Sequence, residues 1–300
     1  MFGILNVNKP AGWTSRDVVN RVEKLVRPAK AGHAGTLDPL ATGVLIVCVG
    51  PATRLVQYVQ QMPKEYRATF LLGRTSPTED IEGEVSELPD PPQPSREDVE
   101  SVLPRFLGEI EQRPPAHSAL RIDGKRAYQL ARQGQPVLLE PRAVHVYQLT
   151  VEQYQYPQLK LRIRCGSGTY VRSLGRDLAE ALGTGAVMSA LTRSAIGRYR
   201  LEDAVATEQL DLQQIGDHLL SPRTAVEHLP QLPLGEAELA EIQHGRLISV
   251  PEGLPSQTDL QPNEEAPLIA GLDARGQLVA LLRERQEGLL GPVCNFPRAD

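Results

Sequence analysis

Apolar positions in the first 200 residues follow two rhythms, one of strand period and one of helical period. Residues 3–8 form a short apolar run closed by Lys9-Pro10-Ala11-Gly12, which predicts a strand ending in a turn. Val18, Val19, Val22, Leu25 and Val26 then recur at helical spacing, with Thr14 or Ser15 placed to cap the helix and Pro28 to stop it. A glycine-rich loop over 31–43 leads into the unbroken run Val44–Val49, which reads as a buried strand. Strict alternation returns at Tyr66, Ala68, Phe70 and Leu72, and again at Leu159, Leu161, Ile163 and Cys165. Ser95 followed by Asp98 marks a capped helix start. Beyond Gly166-Ser167-Gly168, the positions Val171, Leu174, Leu178 and Leu182 predict a helix that ends at Gly183. From about Leu232 the chain changes character, with a short helix over 236–243 and strands near 268–272 and 277–282. Strands and helices mix without a regular βαβ alternation, so the expected class is α+β: a mixed, largely antiparallel central sheet flanked by helices, then a small β-rich domain. Residues 89–94 and 251–267 are expected to be proline-rich loops.

With 41% hydrophobic residues and a mean hydropathy of −0.28, the 300-residue chain builds a core and is neither disordered nor membranous. No apolar run approaches the roughly 18 residues of a membrane span, and the basic-then-apolar start of a secretory leader is missing, so a cytoplasmic protein is expected. Cys48, Cys165 and Cys294 show neither a CxxC nor a disulfide pattern and are expected as small buried apolar groups. Charge changes the picture more. The net charge of −5 hides a balance of −11 over 201–300 and, with the acidic stretch 77–112 set aside, +15 over the rest of the first 200 residues. Such segregation suits a polyanion-binding face, although solvated surface charge explains it equally.

Phosphate-loop, dinucleotide, zinc-protease and nucleophile-elbow motifs are all absent, and the six histidines share no ligand spacing, so neither metal nor cofactor is expected. Three segments stand out instead. In Gly32-His33-Ala34-Gly35-Thr36-Leu37-Asp38-Pro39-Leu40-Ala41-Thr42-Gly43, Asp38 is the only carboxylate. It reads either as the turn carboxylate that Asp-Pro favours or as an ionised nucleophile at a loop apex. His33 is a loop hydrogen-bonder or a platform for a base. In Cys165-Gly166-Ser167-Gly168-Thr169-Tyr170-Val171-Arg172-Ser173, Arg172 in a first helical turn pairs with a carboxylate, with a phosphate, or with a surface acid. Between 113 and 132, Arg113, Arg121, Lys125, Arg126 and Arg132 face one acid, either as a phosphate-gripping loop or as a solvated basic hairpin.

Lys9-Pro10-Ala11-Gly12-Trp13-Thr14-Ser15, the run Gly32–Pro39, Lys64-Glu65-Tyr66 and Gly168–Ser173 resemble, in order and spacing, the bacterial tRNA pseudouridine-55 synthases. The resemblance spans about residues 1–200. It implies a catalytic domain over 1–230, an RNA-gripping insertion over about 104–145, and a PUA-like RNA-binding domain over 231–300. That last likeness is faint, resting on 238–248 and 273–278. The implied reaction isomerises the T-loop uridine by base flipping, glycosidic cleavage and C5–C1′ rejoining, with Asp38, Tyr66 and Arg172 as catalytic residues. Lys9, Pro10, His33, Tyr170 and Leu191 shape the substrate site, and Arg113, Arg121, Lys125, Arg126 and Arg132 hold RNA. The implied partner is the tRNA T-arm, met by a monomer without guide RNA. Two rival roles are a non-catalytic RNA-folding factor and the catalytic subunit of a guide-RNA particle.

Overall fold

The computed structural model describes the 300 residues except 119, 123, 124, 128, 129, 131, 132, 134–138, 252–265, 299 and 300. One ten-stranded sheet organises the first 206 residues. Its path runs Val205–Ala206, Gly3–Lys9, Thr42–Val49, Ala186–Ile196, Lys64–Leu72, Gln158–Cys165, Arg142–Gln155, Gly108–Gln112. Two junctions on this path are parallel, Gly3–Lys9 with Val205–Ala206 and Thr42–Val49 with Ala186–Ile196, and the remainder are antiparallel. The expected α+β architecture is therefore the one observed.

The run Val44–Val49 lacks polar positions because both its faces are covered. Leu45 and Val47 pack with Val18, Val19 and Val22 of the helix Ser15–Val26. Val44, Ile46 and Cys48 pack on the other side with Tyr199, Val226, Ala270 and Leu281. That helix starts where the sequence puts it, with Thr14 and Asp17 forming a reciprocal cap.

The helix Val171–Ala181 lies over the centre of the sheet, burying Leu174 and Leu178 among Phe70, Leu72 and Leu161. Gly175 sets its distance: a Cβ there would stand 2.0 Å from the Phe70 ring. Alanine gains about 1 kcal/mol of helix propensity over glycine, whereas forcing extra volume into a close-packed core costs about 1–3 kcal/mol. The second effect wins against an aromatic ring held between two strands, so Gly175→Ala is expected to lower the thermal midpoint, read by calorimetry.

From Gln231 onward the chain forms a second sheet in the order Gln231–Pro233, Ile269–Leu272, Leu278–Gln286, Leu289–Asn295, Ile248–Ser249, with the helix Glu236–Gln243 beside it. Ala270, Leu272, Leu278, Leu281 and Phe296 join the core behind Thr42–Val49, so this sheet buries an apolar surface against the first. Cys48 and Cys165 are buried as expected, but Cys294 on the last strand is only half-buried. No described helix is long and apolar enough to cross a membrane.

Candidate active site

The loop after Ala31–His33 is held from three sides, and each hold comes from a motif noted in the sequence. Ser15, the first residue of its helix, accepts from the Leu37 N–H at 2.8 Å and donates to the Leu37 carbonyl at 3.2 Å. Lys9, fully buried, donates from Nζ to the carbonyls of Pro10 (2.9 Å), Pro39 (3.2 Å) and Trp13. The Gly12 N–H also reaches the Pro39 carbonyl at 2.9 Å. Lys9-Pro10-Ala11-Gly12-Trp13-Thr14-Ser15 thus acts as one clamp behind the Asp38 turn.

The third hold is Arg193, 1% exposed, from the strand Ala186–Ile196. Its guanidinium donates to the carbonyls of Val44 (2.8 Å), Thr36 (3.3 Å) and Gly35 (3.0 Å). Gly43, at φ +99°, lets the two strands close on each other, since a Cβ there would lie 2.3 Å from the Arg193 carbonyl oxygen.

Held in this way, the Asp38 carboxylate meets Arg172 edge on. Arg172 Nε stands 3.0 Å from one carboxylate oxygen and Nη2 donates to the other at 3.3 Å. Arg172 is 7% exposed, which removes the surface-acid reading. Its remaining donors go to the carbonyls of Thr78 (2.8 Å) and His117 (3.1 Å) and toward Asp80 at 3.4 Å. Asp80 is itself buried. The segment that carries it is tied to the same helix through Glu79, which accepts from Ser173 at 2.9 Å and pairs with Arg176. Asp38 is therefore one of two carboxylates sharing a guanidinium, a finer arrangement than the lone carboxylate expected from its loop.

Two openings meet at this pair. One is a cavity of about 410 Å³ lined by Lys64, Tyr66, Tyr170, Leu191 and Arg193 as well as Asp38 and Arg172. The other, about 970 Å³, is lined by His33, Thr14, Arg16, Asp80 and Glu82 and shares Asp38, Arg172, His117 and Ser118. Tyr66 and Leu191 are almost fully covered, and Tyr170 is pinned by Gln112, which accepts its N–H at 2.7 Å and donates to its carbonyl at 3.0 Å. The structure thus brings Asp38, Tyr66, Arg172, Tyr170 and Leu191 to one cavity, sets His33 in the adjoining one, and puts Lys9 and Pro10 behind both. Arg113 is exposed, and its carbonyl accepts from Arg176. Arg121, Lys125 and Arg126 lie on a two-stranded ribbon, Arg121–Ile122 with Lys125–Arg126, whose side chains are outside the description; Arg132 lies outside the described residues altogether.

Burial raises the Asp38 carboxyl above the ordinary carboxylate value of 3.8, with Asp80 adding to the shift and Arg172 and Lys9 opposing it. Burial likewise raises the Tyr66 phenol, against a lowering by Arg193. A reaction that needs ionised Asp38 loses rate as pH falls through that raised value. We expect the acid limb of kcat/KM to lie above pH 3.8, and Asp80→Asn to move it to lower pH by removing a like charge. A single-turnover pH profile of the two proteins checks both statements.

Asp80, Lys64, Arg193 and Gln112 were not among the candidates drawn from sequence. Asp80 lies in the acidic stretch 77–112 that the charge balance sets aside, and its place in the site depends on a contact across 94 residues between Thr78 and Arg172. Arg193, two residues beyond Leu191, carried no local signal beyond an arginine in an apolar strand.

Residues 23–171 match the model of the TruB family pseudouridylate synthase N-terminal domain. A protein of Microcystis aeruginosa named tRNA pseudouridine synthase B is 43% identical over 253 residues, covering 83% of this chain and 85% of its own. One of the same name from Caulobacter is 39% identical over 300 residues, covering 98% and 96%. Among solved structures, a chain in a Cbf5-Nop10-Gar1 complex superposes with a TM-score of 0.73 at 28% identity, over 98% of this chain and 84% of that one. A chain in an H/ACA RNP bound to a substrate RNA containing 2′-deoxyuridine gives 0.71 at 27%, over 99% and 86%. A sheet that brings Asp38 against a buried Arg172 in the lining of a cavity, together with identity of this extent over nearly the whole chain, makes this protein a member of the TruB family of pseudouridylate synthases.

Proposed function

We propose that this enzyme converts the T-loop uridine at position 55 of tRNA to pseudouridine, and that it does so alone. The observation that carries the reading is the Asp38–Arg172 pair, whose carboxylate is one-third exposed and lines a cavity together with the buried Tyr66, Leu191 and Arg193. A carboxylate so placed serves a reaction in which the glycosidic carbon becomes electron-poor, by attack or by charge stabilisation. Tyr66 offers a π-face for the everted base, and Tyr170 and Leu191 complete its pocket. His33 lines the adjoining opening, and in this reading it assists the base as it leaves the stack. Extrusion costs a few kcal/mol, which stacking and edge hydrogen bonds offset.

In this reading residues 1–230 are the catalytic unit, the basic segment 113–132 grips the RNA arm, and 231–300 form a smaller RNA-binding unit. The acidity of 201–300 concentrates the phosphate contacts on the first unit. The curated relatives at 43% and 39% identity carry the name tRNA pseudouridine synthase B, whereas the ribonucleoprotein chains stand at 28% and 27%. That ordering favours a stand-alone tRNA enzyme over a guide-RNA subunit. Purified protein incubated with an unmodified T-arm hairpin is expected to yield pseudouridine at the one T-loop uridine, mapped at nucleotide resolution. No product, or product elsewhere, ends the reading.

A further inference from the structure

Lys64 and Arg193 differ from Arg172, the other cation that lines this cavity. Lys64 is 6% exposed and Arg193 is 1% exposed, and both line the cavity that holds Asp38 and Tyr66. Among the described residues neither has a carboxylate within ion-pair distance. The Lys64 ammonium donates to the Gln60 carbonyl, and the Arg193 guanidinium donates to three carbonyls. Arg172, in contrast, is balanced by Asp38 and Asp80. Burying a cation without a counter-ion is costly, and such a cost persists at sites where an anion arrives during function.

The cavity is therefore lined by one carboxylate, already paired with Arg172, and by two cations that have no carboxylate partner among the described residues. We propose that Lys64, backed by Arg193, is a catalytic residue that carries the negative charge of the detached base. The inference rests on the pseudouridine-forming reaction. When the N1–C1′ bond breaks, its electron pair stays with the base, and the resulting uracil anion spreads charge over N1, O2 and O4. The ribose carbon is left electron-poor toward Asp38. No proton moves in this step; C5 then supplies the pair that forms the new bond to C1′, after which the C5 proton leaves to water and N1 takes one up, so that the product is an isomer of the substrate. An ammonium against a base oxygen stabilises the anion more than the bonded base, so it lowers the barrier rather than tightening binding.

The groups facing Lys64 set its pH behaviour. Gln60 offers a carbonyl, Cys165 keeps its thiol neutral with burial pushing it up to about 11, and Tyr66 and Arg193 complete the wall. Burial, then the Arg193 charge, lowers the Lys64 ammonium to about 8. Its charge is present at neutral pH and lost above about 8, which predicts an alkaline limb in the chemical step.

The test compares Lys64→Met and Lys64→Arg with wild type in single-turnover reactions on T-arm RNA. Lys64→Met is expected to lower the maximal rate about 100-fold with RNA affinity unchanged and a thermal midpoint equal to or above that of wild type, and to lose the limb near pH 8. Lys64→Arg is expected to recover most of the rate and shift the limb to higher pH. A second arm is independent of turnover. 5-Nitrouracil, an acidic uracil that is anionic at neutral pH, is titrated into each protein by calorimetry. It is expected to bind wild type and Asp38→Asn alike and Lys64→Met about tenfold more weakly, a difference of 1.4 kcal/mol. Wild type inactive on RNA but discriminating in this arm would sink the RNA reading and leave the anion site standing. Unchanged rate and limb in Lys64→Met, or equal affinity for the anion, would overturn the proposal; so would a lowered midpoint in Lys64→Met, the mark of a structural lysine.

Discussion

Asp38→Asn is expected to reduce pseudouridine formation by at least about 10⁴-fold, the scale seen when a reacting side chain is removed, while RNA affinity stays within a few-fold. Asparagine keeps the shape of the carboxylate and one acceptor oxygen for Arg172, so the loop held by Ser15, Lys9 and Arg193 is not disturbed. What is lost is the charge and the second oxygen. Stability discriminates further. Burial and Asp80 hold the Asp38 carboxyl above 3.8, so its ionisation works against the fold: that contribution favours folding at low pH and is lost as pH rises through the raised value. The neutral variant escapes this cost, and Arg172 keeps Asp80 as its partner. The thermal midpoint of Asp38→Asn at neutral pH should therefore equal or exceed that of wild type, a residue retained for chemistry at the expense of stability. Quantitative turnover of T-arm RNA and calorimetry read the two halves. Rate within tenfold of wild type would take this carboxylate out of the reaction.

The extent to which sequence foretells this site depends on how local each signal is. Val44–Val49, the alternating strands and the capped helix Ser15–Val26 are written in neighbouring residues, and all form as expected. Asp38 was conspicuous as the sole carboxylate of a glycine-rich loop, and Arg172 as a cation within an apolar helix pattern. Neither fact joins them. Their contact spans 134 residues and arises because the strand pair Thr42–Val49 and Ala186–Ile196 brings the loop under the first turn of the helix Val171–Ala181. Asp80 was hidden by its neighbours: it is one of eleven acids over 77–112, and nothing in that stretch distinguishes the one carboxylate that is 2% exposed. Lys64, noted only within the Lys64-Glu65-Tyr66 motif, and Arg193 drew no role for the opposite reason, since each occupies a strand position where burial of a cation runs against the pattern. Such violations of local preference concentrate at functional sites.

Arg172→Met is the substitution expected to cost the most stability. The guanidinium uses Nε, Nη1 and Nη2 on two carboxylates and two carbonyls, all in a buried setting. Methionine fills much of the volume and supplies none of these donors. Breaking a buried pair by removing one partner destabilises by about 3–5 kcal/mol, far above the roughly 0–1 kcal/mol of an exposed pair such as Arg96–Glu100. With the cation gone, burial and the Asp80 charge act unopposed by Arg172, and the Asp38 carboxyl titrates higher still. The folded variant then binds a proton that the unfolded chain has released, so its stability falls as pH rises. The deficit against wild type should be smaller near pH 5 than at pH 8, measured by urea unfolding at both. Arg172→Lys separates charge from geometry: one ammonium neutralises Asp38 but cannot span both its oxygens, Asp80 and two carbonyls. It is expected to recover most of the stability at pH 8 and little of the rate, because the carboxylate is no longer gripped edge on. Equal recovery of both would mean that charge alone, and not the bidentate grip, holds Asp38 for reaction.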